Sequence, residues 1–133
     1  MKTIYYNNNL AHLLLFSGYT TIMLWGFILT KLNELKPSTL RHETIHRRQF
    51  HECMVLSLPI ALLLCLFVSW WFLLLIPTFY YILYVGEWII RLFMRGNAYR
   101  NISFEREAYG NQDNPNYLNE RKSFAWFRYY GTI

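Results

Sequence analysis

The chain has 133 residues, 54% of them hydrophobic and 20% aromatic, and its formal net charge is +5. This length leaves room for a single domain, and the apolar content exceeds that of an average soluble protein. Basic residues that face anionic lipid explain the charge, so no nucleic-acid partner is expected, and the two cysteines, Cys53 and Cys65, are spaced for neither a disulfide nor a zinc ribbon.

The first predicted element is a membrane helix over residues 10–30. This run of 21 residues carries no formal charge, and at about 1.5 Å per residue it would be about 30 Å long. That length matches the hydrocarbon core of a bilayer. The run is therefore predicted to cross the membrane once.

A helical hairpin is predicted next. Pro37 indicates a helix start, so residues 38–68 are expected to form one helix that runs into the membrane. The uncharged run over 54–86 has 33 residues, too many for one crossing. The run is therefore predicted to form a hairpin that turns near Ser69, which would place the rings of Trp70 and Trp71 at the lipid headgroups.

A third span is predicted over 71–94, followed by a cytoplasmic helical tail over 101–133 that ends in an amphipathic helix over 117–130. The expected fold class is all-α, with about three transmembrane helices arranged as a single span and a hairpin. Basic residues cluster between the first two spans and again after the third, which predicts that both regions are cytoplasmic. These residues are Lys31, Lys36, Arg41, Arg47 and Arg48, then Arg91, Arg95, Arg100 and Arg106. The short basic loops predict a bacterial inner membrane.

The segment His42-Glu43-Thr44-Ile45-His46 carries the predicted chemistry. Histidines four residues apart on a helix project from one face, and Glu43 lies beside them. Zinc accepts imidazole nitrogens and, with three protein ligands, keeps a position for water. We therefore predict His42 and His46 as Zn²⁺ ligands and Glu43 as the catalytic base. The alternative is that they are only polar residues on the first turns of a membrane helix.

A third ligand is expected after the hairpin has returned the chain to the side where it began. Glu105 and Glu107 both lie on a short predicted helix there, and geometry alone does not choose between them. Any of several tyrosines could offer a phenol to an oxyanion, and the sequence does not identify which one would: Tyr80, Tyr81, Tyr84, Tyr99 or Tyr109.

The two segments together resemble those of the integral membrane zinc peptidases of the gluzincin type, which include the HtpX heat-shock proteases and the CAAX prenyl proteases. In that family a His-Glu-x-x-His helix at the cytoplasmic face is followed by two membrane helices and a Glu-x-x-Ala-Asp motif. The segment from His42 to His46 matches the first motif, and the segment from Glu105 to Ala108 looks like the second. The resemblance implies Glu105 as the third ligand. The membrane metallopeptidase domains of beta-lactam sensor-transducers are similar to the sequence in the same respects.

Two features depart from that family. Tyr109 stands where the family has an Asp that is expected to orient a zinc-binding histidine, so this support must come from another residue. No segment clearly supplies the extended edge strand on which such peptidases align their substrate.

The expected function is a small membrane-embedded zinc metallopeptidase that hydrolyses peptide or protein substrates at the cytoplasmic membrane face. The alternative is a non-catalytic subunit of a larger membrane protein complex that retains a structural or vestigial metal site. In that alternative Glu43 is dispensable, and outward aromatic side chains such as Trp25 and Trp88 bury a partner subunit.

Overall fold

A computed structural model gives the structure of the protein over residues 3–16 and 18–131. Residues 1, 2, 17, 132 and 133 lie outside the described residues, and with them one position of the predicted first helix and the end of the predicted tail. The described chain is mostly helical and contains a three-stranded sheet. Its elements are β1 (Ile4–Tyr5), α1 (Asn9–Leu14), β2 (Thr21–Leu24), β3 (Phe27–Thr30), α2 (Pro37–Phe67), a first 3-10 helix (Trp70–Leu74), α3 (Leu75–Leu92), α4 (Ser103–Asn111), α5 (Tyr117–Glu120) and a second 3-10 helix (Ala125–Tyr129).

The chain forms two compact units. Unit 1 comprises Met1–Arg48 and Ala108–Arg121, and unit 2 comprises Gln49–Glu107 and Lys122–Ile133. Helices α2 and α4 each run unbroken through a unit boundary. Unit 1 therefore holds the sheet and the first turns of α2, while unit 2 holds the rest of α2 and all of α3.

The prediction of a membrane helix over 10–30 is wrong. This stretch forms α1 and the strands β2 and β3 instead. β3 is the central strand of the sheet, parallel to β1 and antiparallel to β2. The fold is therefore not all-α, and the predicted single span that precedes the hairpin is absent from the described residues.

Turn chemistry explains why this stretch is not a helix. Leu24 pairs with Phe27, so Trp25 and Gly26 form a two-residue hairpin loop with φ of 48° and 82°. Two positive φ values give the turn whose twist fits an antiparallel strand pair. Gly18, with φ of 101°, interrupts any helix before β2. Length and missing charge predicted the span, but neither property distinguishes a strand hairpin from a helix.

Helix α2 is a single helix of 31 residues from Pro37 to Phe67, close to the predicted range of 38–68. Proline suits the first turn of a helix because the N–H that it lacks needs no partner there. Pro59 lies inside α2 without ending it. At about 1.5 Å per residue α2 is about 46 Å long, which exceeds the roughly 30 Å of a hydrocarbon core. A membrane would therefore leave several turns of α2 uncovered.

Within residues 3–16 and 18–131, two helices are long and apolar enough to cross a membrane: α2, and the continuous helical stretch Trp70–Leu92 that contains α3. Only 22% and 11% of the residues in their apolar windows are buried, whereas the core helix of a soluble protein is mostly buried. Leu66 and Phe67, for example, are 77% and 83% exposed. These properties make both helices candidate membrane spans.

The connection between these two helices falls where the sequence predicts the hairpin turn. Ser69 has an extended backbone, with φ of −164°, and the first 3-10 helix starts at Trp70. The rings of Trp70 and Trp71 stack with their centroids 4.2 Å apart, and both side chains are exposed. Exposed tryptophans at the tip of a hairpin suit the headgroup region of a bilayer.

Glu87 fastens the start of α4 within unit 2. Its Oε2 accepts hydrogen bonds from the backbone N–H of Ser103 at 3.0 Å and from the Ser103 hydroxyl at 2.6 Å. Its Oε1 forms a 3.0 Å ion pair with Arg91. A carboxylate at this position satisfies an N–H that the helix leaves without a partner and opposes the positive end of the helix dipole. The first turn of α4, which carries Glu105, is thereby fixed.

The C-terminal tail is not the amphipathic helix predicted over 117–130, because α5 ends at Glu120 and the second 3-10 helix begins only at Ala125. Phe124 has a left-handed backbone with φ of 57°, which interrupts any longer helix. Glu52 of α2 holds this point, since its carboxylate accepts the Phe124 N–H at 2.9 Å and the Trp126 Nε1–H at 3.1 Å.

We expect Glu52→Leu to release this C-terminal segment. The substitution removes the acceptor of two donors, which should lower the free energy of unfolding by about 2 kcal/mol. Limited proteolysis in detergent would then cut near Phe124 much faster than in the wild type. The exposed Glu120 offers the control Glu120→Leu; equal cleavage rates in the two variants would show that Glu52 does not hold the segment.

Candidate metal centre

His42 and His46 present their imidazoles side by side on the first turns of α2. The spacing of four residues places them on one helix face, and their Nε2 atoms are 3.0 Å apart. The rings meet edge to face with centroids 4.7 Å apart. Both side chains are buried, so two ring nitrogens lie next to each other away from solvent.

Glu105 of α4 forms a buried group with these two histidines. Each of the three residues offers one ligand atom, and the three atoms lie within 4.8 Å of one another. Glu105 is 2% exposed. The group could hold a metal ion.

The donor set fits a small transition-metal ion. Neutral imidazole nitrogens and carboxylate oxygens bind zinc at about 2.0 to 2.2 Å. A tetrahedral ion at those bond lengths separates neighbouring ligand atoms by about 3.3 Å, close to the 3.0 Å between the two Nε2 atoms. Burying three polar side chains costs free energy, and coordination of an ion would offset that cost.

Glu43 and Glu107, the other two acidic residues that the sequence singled out, are outside this group of three ligand residues. Glu43 lies on α2 between the two histidines and is buried, with 7% of its surface exposed. Glu107 accepts a 3.0 Å hydrogen bond from the Gln49 amide. The structure therefore separates the two carboxylates of α4 that the sequence left as alternatives: Glu105 belongs to the buried group, and Glu107 is bound to Gln49.

Two residues near the end of α4 contact His42. Gln112 Oε1 lies 3.0 Å from His42 Nδ1, and the Tyr109 ring packs edge-on against the imidazole with centroids 4.6 Å apart. The sequence predicted that the orienting group is a residue other than Tyr109, but it did not identify Gln112. The available signal was the helical spacing, since a side chain three residues beyond Tyr109 lies on the same face.

Tyr84 of α3 contacts the carboxylate of the group. Its hydroxyl donates a hydrogen bond to Glu105 Oε1 at 2.6 Å. The sequence offered Tyr84 only as one of several phenols for an oxyanion, whereas in the structure it orients Glu105. A donor on one carboxylate oxygen fixes the direction in which the other oxygen points.

We expect Tyr84→Phe to weaken zinc binding by about 10-fold, because the carboxylate loses its orienting donor. Competition with a fluorescent zinc chelator in detergent measures this affinity. Tyr6→Phe, at an exposed position, removes a hydroxyl elsewhere and should leave the affinity unchanged. Equal affinities in the wild type and Tyr84→Phe would exclude this role for Tyr84.

Comparison with known proteins gives no match: no family model fits the sequence, and no curated protein or solved structure is significantly similar to it.

Proposed function

We propose that the protein is a membrane-bound zinc metallopeptidase. The observation that carries the proposal is the buried group of His42, His46 and Glu105, with Glu43 adjacent to His42 on α2. Two imidazoles, a carboxylate and a potential base are the donor set of zinc hydrolases with a His-Glu-x-x-His helix. The resemblance to the gluzincin-type membrane peptidases agrees with this reading.

Glu43 is the general base and then the general acid of the proposed reaction. A zinc ion at the group would lower the pKa of water toward about 7 and polarise the scissile carbonyl. Glu43 accepts a proton as the water oxygen bonds to the carbonyl carbon, and it delivers that proton to the nitrogen as the C–N bond breaks. One water is consumed, and the products are a free carboxyl group and a free amine.

The three-stranded sheet supports a peptide as the substrate. β1 and β2 are its outer strands, and the sheet belongs to the same unit as the two histidines. An extended peptide can add to the edge of a sheet through main-chain hydrogen bonds. In the proposed reaction, β1 and β2 are the strands with which a substrate peptide would pair.

We place the centre on the cytoplasmic side of a bacterial inner membrane. Arg47 and Arg48 follow the histidines on α2, ahead of its apolar part, and basic residues at the end of a membrane helix mark the cytoplasmic side. Because the described residues between 10 and 30 form no membrane span, the sheet and the histidine end of α2 share that side. The lipid bilayer is then the first partner of the protein.

A peptide-library assay tests the proposed activity. Protein in nanodiscs is incubated with zinc and a mixed-sequence peptide library, and mass spectrometry identifies new termini. We expect cleavage that 1,10-phenanthroline abolishes and added zinc restores. Cleavage that persists at full chelation would argue against a metallopeptidase, as would a complete absence of new termini.

A non-catalytic subunit of a larger membrane complex is the second candidate. The exposure of Trp25, at 54%, favours it, because a partner subunit could cover this large side chain, which lies outside both candidate membrane spans. A metal ion would then have a structural role only. Stoichiometric co-purification of a membrane protein, with zinc present and no hydrolysis, would favour this candidate over the peptidase.

A further inference from the structure

We propose that Gln112 is a positioning residue that fixes the tautomer of His42 and thereby prepares this histidine to bind the metal. The inference rests on the proposed metal centre and adds to it a residue outside both sequence motifs. Tyr109 stands where an Asp would accept a hydrogen bond from a zinc-binding histidine. Gln112 supplies such an acceptor from a different position.

The contact between the two side chains determines where the His42 proton lies. Gln112 Oε1 is 3.0 Å from His42 Nδ1. An amide oxygen can only accept a hydrogen bond, so Nδ1 must carry the proton. The neutral ring then keeps its lone pair on Nε2, and a metal ion requires that lone pair.

The His42 Nε2 atom is the ring nitrogen that faces the buried group, because it lies 3.0 Å from His46 Nε2. If the Gln112 amide nitrogen faced His42 instead, Nδ1 would have to accept and Nε2 would carry the proton. That tautomer could not coordinate an ion, so only one orientation of the amide serves the site.

The backbone of Gln112 is itself fixed, which makes it a suitable anchor. Its carbonyl oxygen accepts a 2.6 Å hydrogen bond from Arg41 Nε, and its N–H donates to the carbonyl of Ala108 at 2.9 Å. The Tyr109 ring also packs against His42. The side chain therefore projects to the imidazole from a backbone held on both sides.

Nitrogen-15 NMR of the metal-free protein tests the tautomer directly. The full chain is labelled with ¹⁵N-histidine and studied in detergent at about pH 8, above the pKa of a model imidazole, and His42 is assigned with single His→Gln variants. We expect the Nδ1–H tautomer at His42 in the wild type and in Gln112→Glu, whose carboxylate accepts the same proton. In Gln112→Leu we expect mainly Nε2–H, the form that a free neutral imidazole prefers.

Zinc affinity gives the second readout. Gln112→Leu should bind zinc about 10- to 100-fold more weakly than the wild type, and Gln112→Glu should recover most of the loss. Asn119→Leu, at an exposed position near the same end of the chain, is the control and should match the wild type.

The two readouts separate this inference from the metal centre itself. Nδ1–H in the wild type that is lost in Gln112→Leu supports the role of Gln112 even if the protein binds no zinc, in which case only the metal centre fails. Nε2–H at His42 in the wild type, or in a folded Gln112→Glu variant, would overturn the inference. So would an unchanged tautomer together with an unchanged affinity in Gln112→Leu.

Discussion

Glu43→Gln is expected to abolish peptide hydrolysis while zinc stays bound. A glutamine keeps the size of the side chain but cannot take the proton of the attacking water, and loss of a general base lowers rates by about 10²- to 10⁴-fold. Because Glu43 is outside the group of three ligand residues, the metal content should remain that of the wild type. Cleavage rates and zinc content measured on the same preparation test both halves of the prediction.

The matched control is Glu34→Gln, which changes the same functional group at an exposed position ahead of α2. It should leave the cleavage rate unchanged. A Glu43→Gln variant that keeps more than about a tenth of the wild-type rate would remove Glu43 from the mechanism. Activity that is equal in all three proteins would point to a contaminating peptidase.

Removal of the metal is expected to lower the thermal midpoint of unfolding by roughly 15 °C. An ion that binds only the native state stabilises it by about 4 kcal/mol at a concentration 1,000 times its Kd, and each kcal/mol shifts the midpoint of a domain of this size by a few degrees. Thermal unfolding in detergent, followed by tryptophan fluorescence with and without a chelator, measures the shift.

His46→Ala is the control for this prediction. It lacks one of the imidazoles of the buried group, so its midpoint should be low and should not respond to zinc or to the chelator. A chelator effect of the same size in His46→Ala would locate the stabilising ion somewhere else. A wild type whose midpoint ignores the chelator would mean that the group contributes no metal-linked stability.

The helical hairpin could be predicted from sequence because its cause is local. A long uncharged stretch, broken at Ser69 with tryptophans directly after it, is specified by composition and by one turn. The region over 10–30 shares the length and the missing charge, but its structure depends on the Trp25-Gly26 turn and on pairing with β1. Strand pairing joins distant residues, and composition does not report it.

The candidate site also has one part that local sequence predicts and one part that tertiary contacts decide. The side-by-side placement of His42 and His46 follows from helical geometry, so the spacing was sufficient to predict it. The difference between Glu105 and Glu107 depends on the rotation of α4, which Tyr84 and Gln49 fix through tertiary hydrogen bonds. No local rule gives that rotation.

The most direct test of the metal centre is the zinc content of detergent-purified protein, measured by inductively coupled plasma mass spectrometry on the wild type, His46→Ala and Glu105→Ala in parallel. The proposed centre predicts about one zinc per chain in the wild type and almost none in either variant. Folded wild-type protein without zinc after reconstitution, or variants that retain a full equivalent, would contradict it.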